Sequence, residues 1–132
     1  MENYRRNKTT VSLINYHFVF CPRYRRKIFL NPSLGERFKE LIQEICDDQG
    51  FHIFALETDE DHVHLFLYTL LSFSPADIMA KIKGGTSKII RDEFSELKAM
   101  PSLWTRSYFV STAENVSSQT IKPYVESQKT RS

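Results

Sequence analysis

Hydrophobic residues in this chain follow two different periods, and the order in which those periods alternate restricts the fold more than any other feature. Four stretches have the two-residue period of a β-strand and are rich in β-branched and aromatic residues: 11–20, 51–58, 61–67 and 106–112. Between them, two longer stretches repeat apolar residues at helical spacing, one from Ser33 to about Gly50 and one from Ser74 to Leu97. The sequence therefore predicts elements in the order β, α, β, β, α, β.

This order is typical of an α+β fold of the ferredoxin-like, or RRM-like, type, in which an antiparallel sheet carries both helices on one face. The acidic turn Asp59-Glu60 is short enough to join the second and third strands as a hairpin. We expect the third strand in the middle of the sheet, beside the first, with Val63, Leu65 and Leu67 facing the helices. A C-terminal helix over residues 116–130 is expected to cover the opposite face.

Two local patterns make sharper predictions about the helices. Ser33, with Glu36 three residues later, has the spacing of a capping box and predicts the start of the first helix. Gly84 and Gly85 interrupt the second helical pattern, and two interior glycines cost about 2 kcal/mol relative to alanine. They indicate either a break between two short helices or a place where another backbone, such as a nucleic acid, comes close. The buried side of this helix is predicted to consist of Ile78, Ile82, Ile89, Ile90, Phe94 and Leu97.

Composition indicates one ordered domain. The chain has 132 residues, of which 41% are hydrophobic and 13% aromatic, enough to build a core. We expect a single domain over residues 1–132, with residues 1–10 as a flexible basic arm. Cys21 and Cys46 lack CxxC spacing and follow no signal peptide or long apolar run, which favours a reduced cytosolic setting without membrane association.

Charge is strongly segregated, although the net charge is only +2. Residues 1–31 hold seven Lys or Arg against one acidic residue, whereas residues 32–64 hold two against nine. The basic part includes five consecutive residues with an aromatic ring among four cations: Arg23, Tyr24, Arg25, Arg26 and Lys27. Four adjacent cations repel each other, so we favour a surface for the backbone and bases of a single-stranded nucleic acid. A solvated loop remains the alternative.

The third strand holds two histidines separated by one residue. The strand period places His62 and His64 on the same face, where they could chelate a divalent cation. This pattern alone is not specific, since a strand histidine is more often a hydrogen-bonded structural residue.

The C-terminal stretch places Tyr124 and Gln128 four residues apart, hence on one face of a helix. An exposed helix with a half-buried ring would give the same pattern. Pro123 would clash inside a helix at a cost of about 3 kcal/mol, so the helix is expected to start there or to kink.

Five segments together resemble the single-tyrosine HUH transposases of small insertion sequences, which move as single-stranded DNA. They are YHFVFCPRYRRKIF (16–29), DHVHLF (61–66), IKGGTSKIIR (82–91), LWTRSYFVST (103–112) and IKPYVESQ (121–128). Each segment is modest alone, but five in this order and at compatible spacing are specific. The resemblance extends over nearly the whole chain.

The resemblance implies a function for individual residues. It makes Tyr124 the nucleophile that forms a 5′-phosphotyrosine, and His62, His64 and Gln128 the ligands of a divalent metal, Mg²⁺ or Mn²⁺. Asp61 is expected to orient one of the ligand imidazoles from behind. Strand alternation places His17 on the same sheet face, where a hydrogen-bonded structural or supporting histidine is favoured over a third histidine ligand. The residues expected to contact DNA are Arg23, Tyr24, Arg25, Arg26, Lys27, Lys81, Lys83 and Lys88.

The partners implied are single-stranded DNA with hairpin ends and a second copy of the chain, in a homodimer whose tyrosine helices complete each other's sites. No nucleotide cofactor is expected, because a covalent intermediate conserves the energy of the phosphodiester bond. The setting implied is the cytoplasm of a bacterium or archaeon, at the nucleoid during transposition. Two alternatives remain: a catalytically silent protein that binds single-stranded DNA or RNA, and a metal-dependent phosphodiesterase that uses water.

Overall fold

The structure is a computed structural model that describes residues 13–112 of the chain. This part contains four strands and two long helices. They are β1 (Leu13–Phe20), α1 (Pro32–Gln49), β2 (His52–Asp59), β3 (His62–Leu70), α2 (Pro75–Glu93) and β4 (Phe109–Thr112). Three single turns of 3₁₀ helix occur in the connections, at Arg23–Arg25, Ile28–Leu30 and Ser95–Leu97.

The strands form one antiparallel sheet in the order β2-β3-β1-β4. In the hairpin, Asp59 pairs with His62, and β3 then pairs with β1 along its length, with His64 opposite Val19. The α+β, ferredoxin-like prediction is therefore confirmed, including the central position of β3 beside β1. A register shift between Ile53 and Ala55 interrupts the outer strand β2.

The core lies between the sheet and the two helices. Alternate residues of β1 and β3, such as Phe18 and Leu65, have no exposed surface and pack in one cluster with side chains from α1 and α2. The period of two thus divides each central strand into a core row and an opposite row. Val63, Leu65 and Leu67 all belong to the core row, as predicted.

The cap of α1 differs from the prediction. Asn31, not Ser33, precedes the helix, and its side-chain oxygen accepts hydrogen bonds from the backbone N–H groups of Ser33 (3.0 Å) and Leu34 (3.4 Å). Pro32 occupies the first turn, where its missing N–H costs nothing. Ser33 is therefore already inside the helix, and the prediction of Ser33 as the cap is wrong. At the other end Gly50 adopts a φ of 80°, the left-handed conformation that favours glycine.

Helix α2 is continuous, so the predicted break at Gly84-Gly85 is wrong. A Cβ built on Gly85 would lie 2.6 Å from Cδ1 of Ile45 on α1, whereas one built on Gly84 would meet nothing within 4 Å. The second alternative, the close approach of another backbone, is not found at either glycine among the described residues, because the close neighbour of Gly85 is a side chain of the other helix. On the same helix Ile89 is 37% exposed, contrary to its predicted burial.

Strand β4 begins at Phe109, three residues later than predicted. The half-buried ammonium of Lys83 donates to the carbonyl oxygens of Thr105 (2.8 Å), Arg106 (3.4 Å) and Ser107 (3.0 Å). Those carbonyls are bound by a side chain rather than by a neighbouring strand, which explains the short strand. Just before them, the buried Trp104 forms an isolated bridge with Pro22.

Several predictions fall outside the described residues: the basic arm, residues 1–10, and the C-terminal helix, residues 116–130, with Pro123, Tyr124 and Gln128. Within residues 13–112, neither helix combines the length and the apolar character needed to cross a membrane.

Candidate functional site

His62 and His64 lie side by side at the start of β3, on the sheet face opposite the helices. Their rings are stacked, with centroids 6.2 Å apart and planes 14° apart. Both residues are buried, with 3% and 0% of their surface exposed. The strand period brings the two predicted ligands together, in a setting that shields them from water.

His17 joins this pair from β1. Its ring lies on the ring of Phe66, with centroids 4.2 Å apart and planes 8° apart, and 5.9 Å from the ring of His64. Burial, together with the neighbouring His64, lowers the pKa of His17 to about 4. His17 is therefore a neutral imidazole at neutral pH, packed beside the histidine pair.

Asp61 and Arg25 both contact His62. Oδ1 of Asp61 lies 2.5 Å from Nδ1 of His62, and Oδ2 of Asp61 accepts hydrogen bonds from Nε (3.2 Å) and Nη2 (2.9 Å) of Arg25. Nη2 of Arg25 also lies 3.3 Å from Nε2 of His62. Burial raises the pKa of Asp61, but the hydrogen bonds from Arg25 and the charges nearby outweigh it, so the pKa is lower than usual. Asp61 is thus an ionised partner of both residues.

The donor chemistry of the pair suits a first-row divalent cation, for which neutral imidazole nitrogens are good ligands. The two rings are stacked rather than turned towards one point, so binding would require one of them to rotate. In the part of the chain that the structure describes, no group of three His, Cys, Asp or Glu residues could hold a metal ion. The predicted third ligand, Gln128, lies outside that part.

The basic segment, residues 23–27, follows β1 and lies against this end of the sheet. Tyr24 and Arg25 adopt φ values of 60° and 54°, a left-handed conformation that costs residues other than glycine about 1–2 kcal/mol each. Backbone hydrogen bonds from Arg23 N to Leu103 O (2.7 Å) and from Arg25 N to Pro22 O (3.0 Å) hold the turn in place. Tyr24 is 71% exposed, so its ring faces solvent beside the cations.

The cations of this segment have different environments. The guanidinium of Arg23 donates to Ser102 Oγ (3.0 Å) and lies 5.4 Å from the centre of the Tyr24 ring. Lys27 forms an exposed ion pair with Glu60 at 3.7 Å. The side chain of Arg26 is exposed and has no ion pair among residues 13–112; with Lys27 it lines an open groove of about 500 Å³ whose floor includes Leu34 and Leu97. Arg26 is therefore the cation most readily available to an anionic ligand.

The three predicted lysines of α2 lie away from the histidines, because α2 packs on the opposite face of the sheet. Lys83 has its ammonium bound to three carbonyls, which use its three N–H donors, and burial lowers its pKa. It has a structural role, and we do not retain it as a DNA contact. Lys81 is exposed, as is Lys88, which lies 3.5 Å from Asp92.

The contact between Arg25 and His62 was not predicted from the sequence. The sequence predicts that Arg25 contacts DNA and that Asp61 orients an imidazole, but it does not predict a contact between Arg25 and Asp61. The register offers a signal in retrospect: Phe20 pairs with Val63, so the residues after β1 lie opposite those before β3. An arginine and an aspartate at those two ends can meet.

Solved structures support the fold. A crystal structure of a candidate transposase from Deinococcus radiodurans superimposes with a TM-score of 0.73 at 26% sequence identity, over 90% of this chain and 93% of that one. A REP-associated tyrosine transposase bound to a REP hairpin superimposes with a TM-score of 0.58 at 16% identity, over 86% of this chain and 61% of that one. The second likeness bears on the fold alone.

Sequence comparisons identify the family. The chain is 24% identical to the ISDra2 transposase TnpA of Deinococcus radiodurans over 127 residues, which is 94% of this chain and 90% of the relative. It is 29% identical to the transposase for insertion sequence element IS200 of Salmonella typhimurium over 119 residues, 86% of this chain and 75% of the relative. The profile of the IS200-like transposases matches residues 10–128. With nearly its whole length covered by that match, the chain belongs to the IS200-like transposase family, whose members are DNA-cleaving and strand-transfer enzymes.

Proposed function

We propose that this protein cleaves and rejoins single-stranded DNA at the ends of an insertion sequence, through a 5′-phosphotyrosine formed on Tyr124. One observation carries the proposal: His62 and His64 form a buried pair on the sheet face opposite the helices, and the basic segment touches that pair through Arg25. The family match extends to residue 128 and so includes Tyr124 and Gln128.

The proposed reaction exchanges one phosphorus–oxygen bond for another. The phenol oxygen of Tyr124 attacks phosphorus and loses its proton, and the bond from phosphorus to the 3′ oxygen breaks, so that a 3′-hydroxyl leaves. In the rejoining step another 3′-hydroxyl attacks the phosphotyrosine and Tyr124 departs. The bond energy is conserved throughout, so no nucleotide cofactor is required.

A divalent cation, when bound, would neutralise charge on the phosphodiester and orient it for in-line attack. We assign its ligands as His62, His64 and Gln128, and its identity as Mg²⁺ or Mn²⁺. Asp61, on Nδ1 of His62, leaves Nε2 as the nitrogen able to bind a cation. The buried setting of the pair excludes competing water.

The basic segment is the proposed binding surface for the DNA backbone, and the exposed ring of Tyr24 is suited to stacking on a base. Arg23, Arg25, Arg26 and Lys27 supply the positive charge beside the histidines. Lys81 and Lys88, on the other side of the sheet, are proposed as separate backbone contacts, for a hairpin stem that extends around the molecule.

The first test detects the covalent intermediate. Labelled single-stranded DNA carrying the end of the element is incubated with protein and Mn²⁺ or Mg²⁺, then analysed on a denaturing gel. We expect a protein–DNA adduct that disappears in Tyr124→Phe and in His64→Ala but persists in Tyr68→Phe, a control tyrosine on the same face of the sheet as the histidines. Cleavage without an adduct would identify a hydrolase instead, and DNA binding without cleavage a silent binder.

The second test concerns the homodimer, in which we propose that the tyrosine of one subunit acts at the histidine pair of the other. Tyr124→Phe and His64→Ala proteins, each inactive alone, are mixed and allowed to exchange subunits. Sharing of sites between subunits predicts that the mixture recovers adduct formation, because one composite site then has an intact tyrosine and an intact histidine pair. If each subunit uses its own tyrosine, the mixture stays inactive.

A further inference from the structure

The guanidinium of Arg25 lies at the nitrogen of His62 that a metal ion would need. Nη2 of Arg25 is 3.3 Å from Nε2 of His62, while Nδ1 of the same ring lies 2.5 Å from Asp61. A guanidinium has only donors, so the lone pair of Nε2 faces Arg25 and the ring proton lies on Nδ1, next to the carboxylate. The lone pair that could bind a cation is thus already in use.

Arg25 and a metal ion cannot both bind Nε2 of His62. Both are positively charged, and one lone pair cannot serve both. Arg25 is also secured by two hydrogen bonds to Oδ2 of Asp61, at 2.9 and 3.2 Å. A metal ion can therefore reach Nε2 only after Arg25 has moved.

Of the three residues, Arg25 is the most exposed to solvent. Its side chain is 43% exposed, against 19% for Asp61 and 4% for His62. Its guanidinium can therefore meet an anion from outside, and planar guanidinium groups bind phosphate in bidentate fashion.

The backbone that carries Arg25 is in an energetically unfavourable conformation. Tyr24 and Arg25 are consecutive non-glycine residues with positive φ, a conformation that persists only where neighbouring contacts hold it. A turn that relaxes as Arg25 leaves would regain that strain energy, which offsets part of the loss of the contacts with Asp61 and His62.

We propose that Arg25 blocks the metal-binding nitrogen of His62 in the metal-free protein, and that a phosphate of the DNA backbone draws Arg25 away, so that DNA and metal bind cooperatively. Arg25 is then a positioning residue for the site, and metal binding is delayed until DNA is present. The inference rests on the proposed role of His62 as a metal ligand.

The test measures metal affinity rather than activity. Proteins freed of metal by a chelator are titrated with Mn²⁺, and free Mn²⁺ is followed by electron paramagnetic resonance, with and without a short oligothymidylate; binding of Mn²⁺ to the oligonucleotide alone is subtracted. The variants are Arg25→Gln, Arg25→Lys and His62→Ala. Arg26→Gln serves as the matched control for the titrations without DNA, because it removes the same charge at the neighbouring residue, whose side chain does not contact His62. Thermal unfolding confirms that each variant is folded.

Without DNA, we expect Arg25→Gln to bind Mn²⁺ about tenfold more tightly than the wild type, the effect of one charge-assisted hydrogen bond. Arg26→Gln should stay close to the wild type, and Arg25→Lys should lie between the two. Oligothymidylate should tighten Mn²⁺ binding by the wild type by a similar factor and leave Arg25→Gln unchanged. An oligothymidylate with an uncharged methylphosphonate backbone should have no effect on either.

Two results would overturn the inference in different ways. If Arg25→Gln binds Mn²⁺ no more tightly than the wild type, while His62→Ala loses binding, the metal site is correct and Arg25 does not block it. If His62→Ala binds Mn²⁺ like the wild type, the metal site itself is wrong, and the blocking role falls with it.

Discussion

At the scale of single residues, the chemistry of the site depends on burial. His17, His62 and His64 are each at most 3% exposed, on the face of the sheet away from the core. Burial disfavours the charged form of an imidazole, and it lowers the pKa of His17. The histidine cluster therefore lies in an environment that excludes water.

His17 leads to a prediction about pH. Its pKa is about 4 in the folded protein, below the usual value of about 6.5, so the unfolded chain binds a proton more readily between these values. Stability should therefore be lost as the pH falls from about 6.5 to 4, by at most about 3 kcal/mol. His17→Gln, which does not titrate, should lose less over this range. Urea unfolding at a series of pH values, with a chelator present, measures the difference, and parallel curves for the two proteins would contradict the assignment.

The sequence predicts the histidine pair, but it does not predict the role of every lysine and arginine. His62 and His64 share a face because of the strand period, which is a local property of the sequence. Lys83 is different, because its three carbonyl partners come from a loop more than twenty residues later in the chain. A lysine whose ammonium binds loop carbonyls and a lysine that can bind phosphate look the same in the sequence. Only the packing of α2 shows which role Lys83 has.

At the scale of elements, the two helices meet at Gly85. Its missing Cβ makes room for Ile45, so the glycine contributes through packing, whereas Gly84 has no such neighbour and only weakens the helix. The pair is a natural comparison, because both residues occupy the interior of the same helix.

Gly84→Ala should stabilise the protein by up to about 1 kcal/mol, the difference in helix propensity. Gly85→Ala should stabilise the protein less than Gly84→Ala does, or destabilise it, since its methyl group would lie 2.6 Å from Cδ1 of Ile45. Ile45→Val removes Cδ1, so the double variant Ile45→Val/Gly85→Ala should recover part of the stability lost through this contact. Chemical denaturation of the four proteins tests this, and equal effects of the two alanines would show that the contact is unimportant.

The elements themselves were largely predictable, whereas their ends were not. Strand and helix order follows from periodicity, and the topology follows from that order. The cap of α1 depends on whether Asn31 or Ser33 adopts the extended backbone before the first turn, and both residue types are good caps. The start of β4 depends on Lys83, which is distant in sequence. Local sequence patterns thus determine which helices and strands form, and tertiary contacts determine the residues at which they begin and end.

At the scale of the whole molecule, positive charge and the histidine pair meet at one end of the sheet. The basic segment adjoins the start of β3, and its exposed Arg26 has no ion pair among the described residues. Much of the affinity for DNA should come from this part of the surface, and it should depend on salt.

Arg26→Ala should weaken binding of single-stranded DNA and reduce the slope of log affinity against log salt concentration by about 0.7, the value for one phosphate contact with a single strand. Lys39→Ala removes the same charge from an exposed position on α1 outside the proposed surface, and it should leave the slope unchanged. Fluorescence anisotropy of a labelled oligonucleotide at several salt concentrations provides the measurement. Equal slopes for Arg26→Ala and the wild type would remove Arg26 from the DNA surface.

Trp104 is the only tryptophan of the chain, and it contacts β1, α1 and α2. Its ring packs on Phe20 of β1 and Phe38 of α1, at centroid distances of 4.9 and 5.5 Å, and its indole N–H donates to Thr86 of α2 at 2.9 Å. It also bridges to Pro22, the residue immediately before the basic segment. The molecule therefore contains its own optical probe: its intrinsic emission comes from one site, next to the turn that carries Arg25, so movement of that turn can be followed in the unlabelled protein.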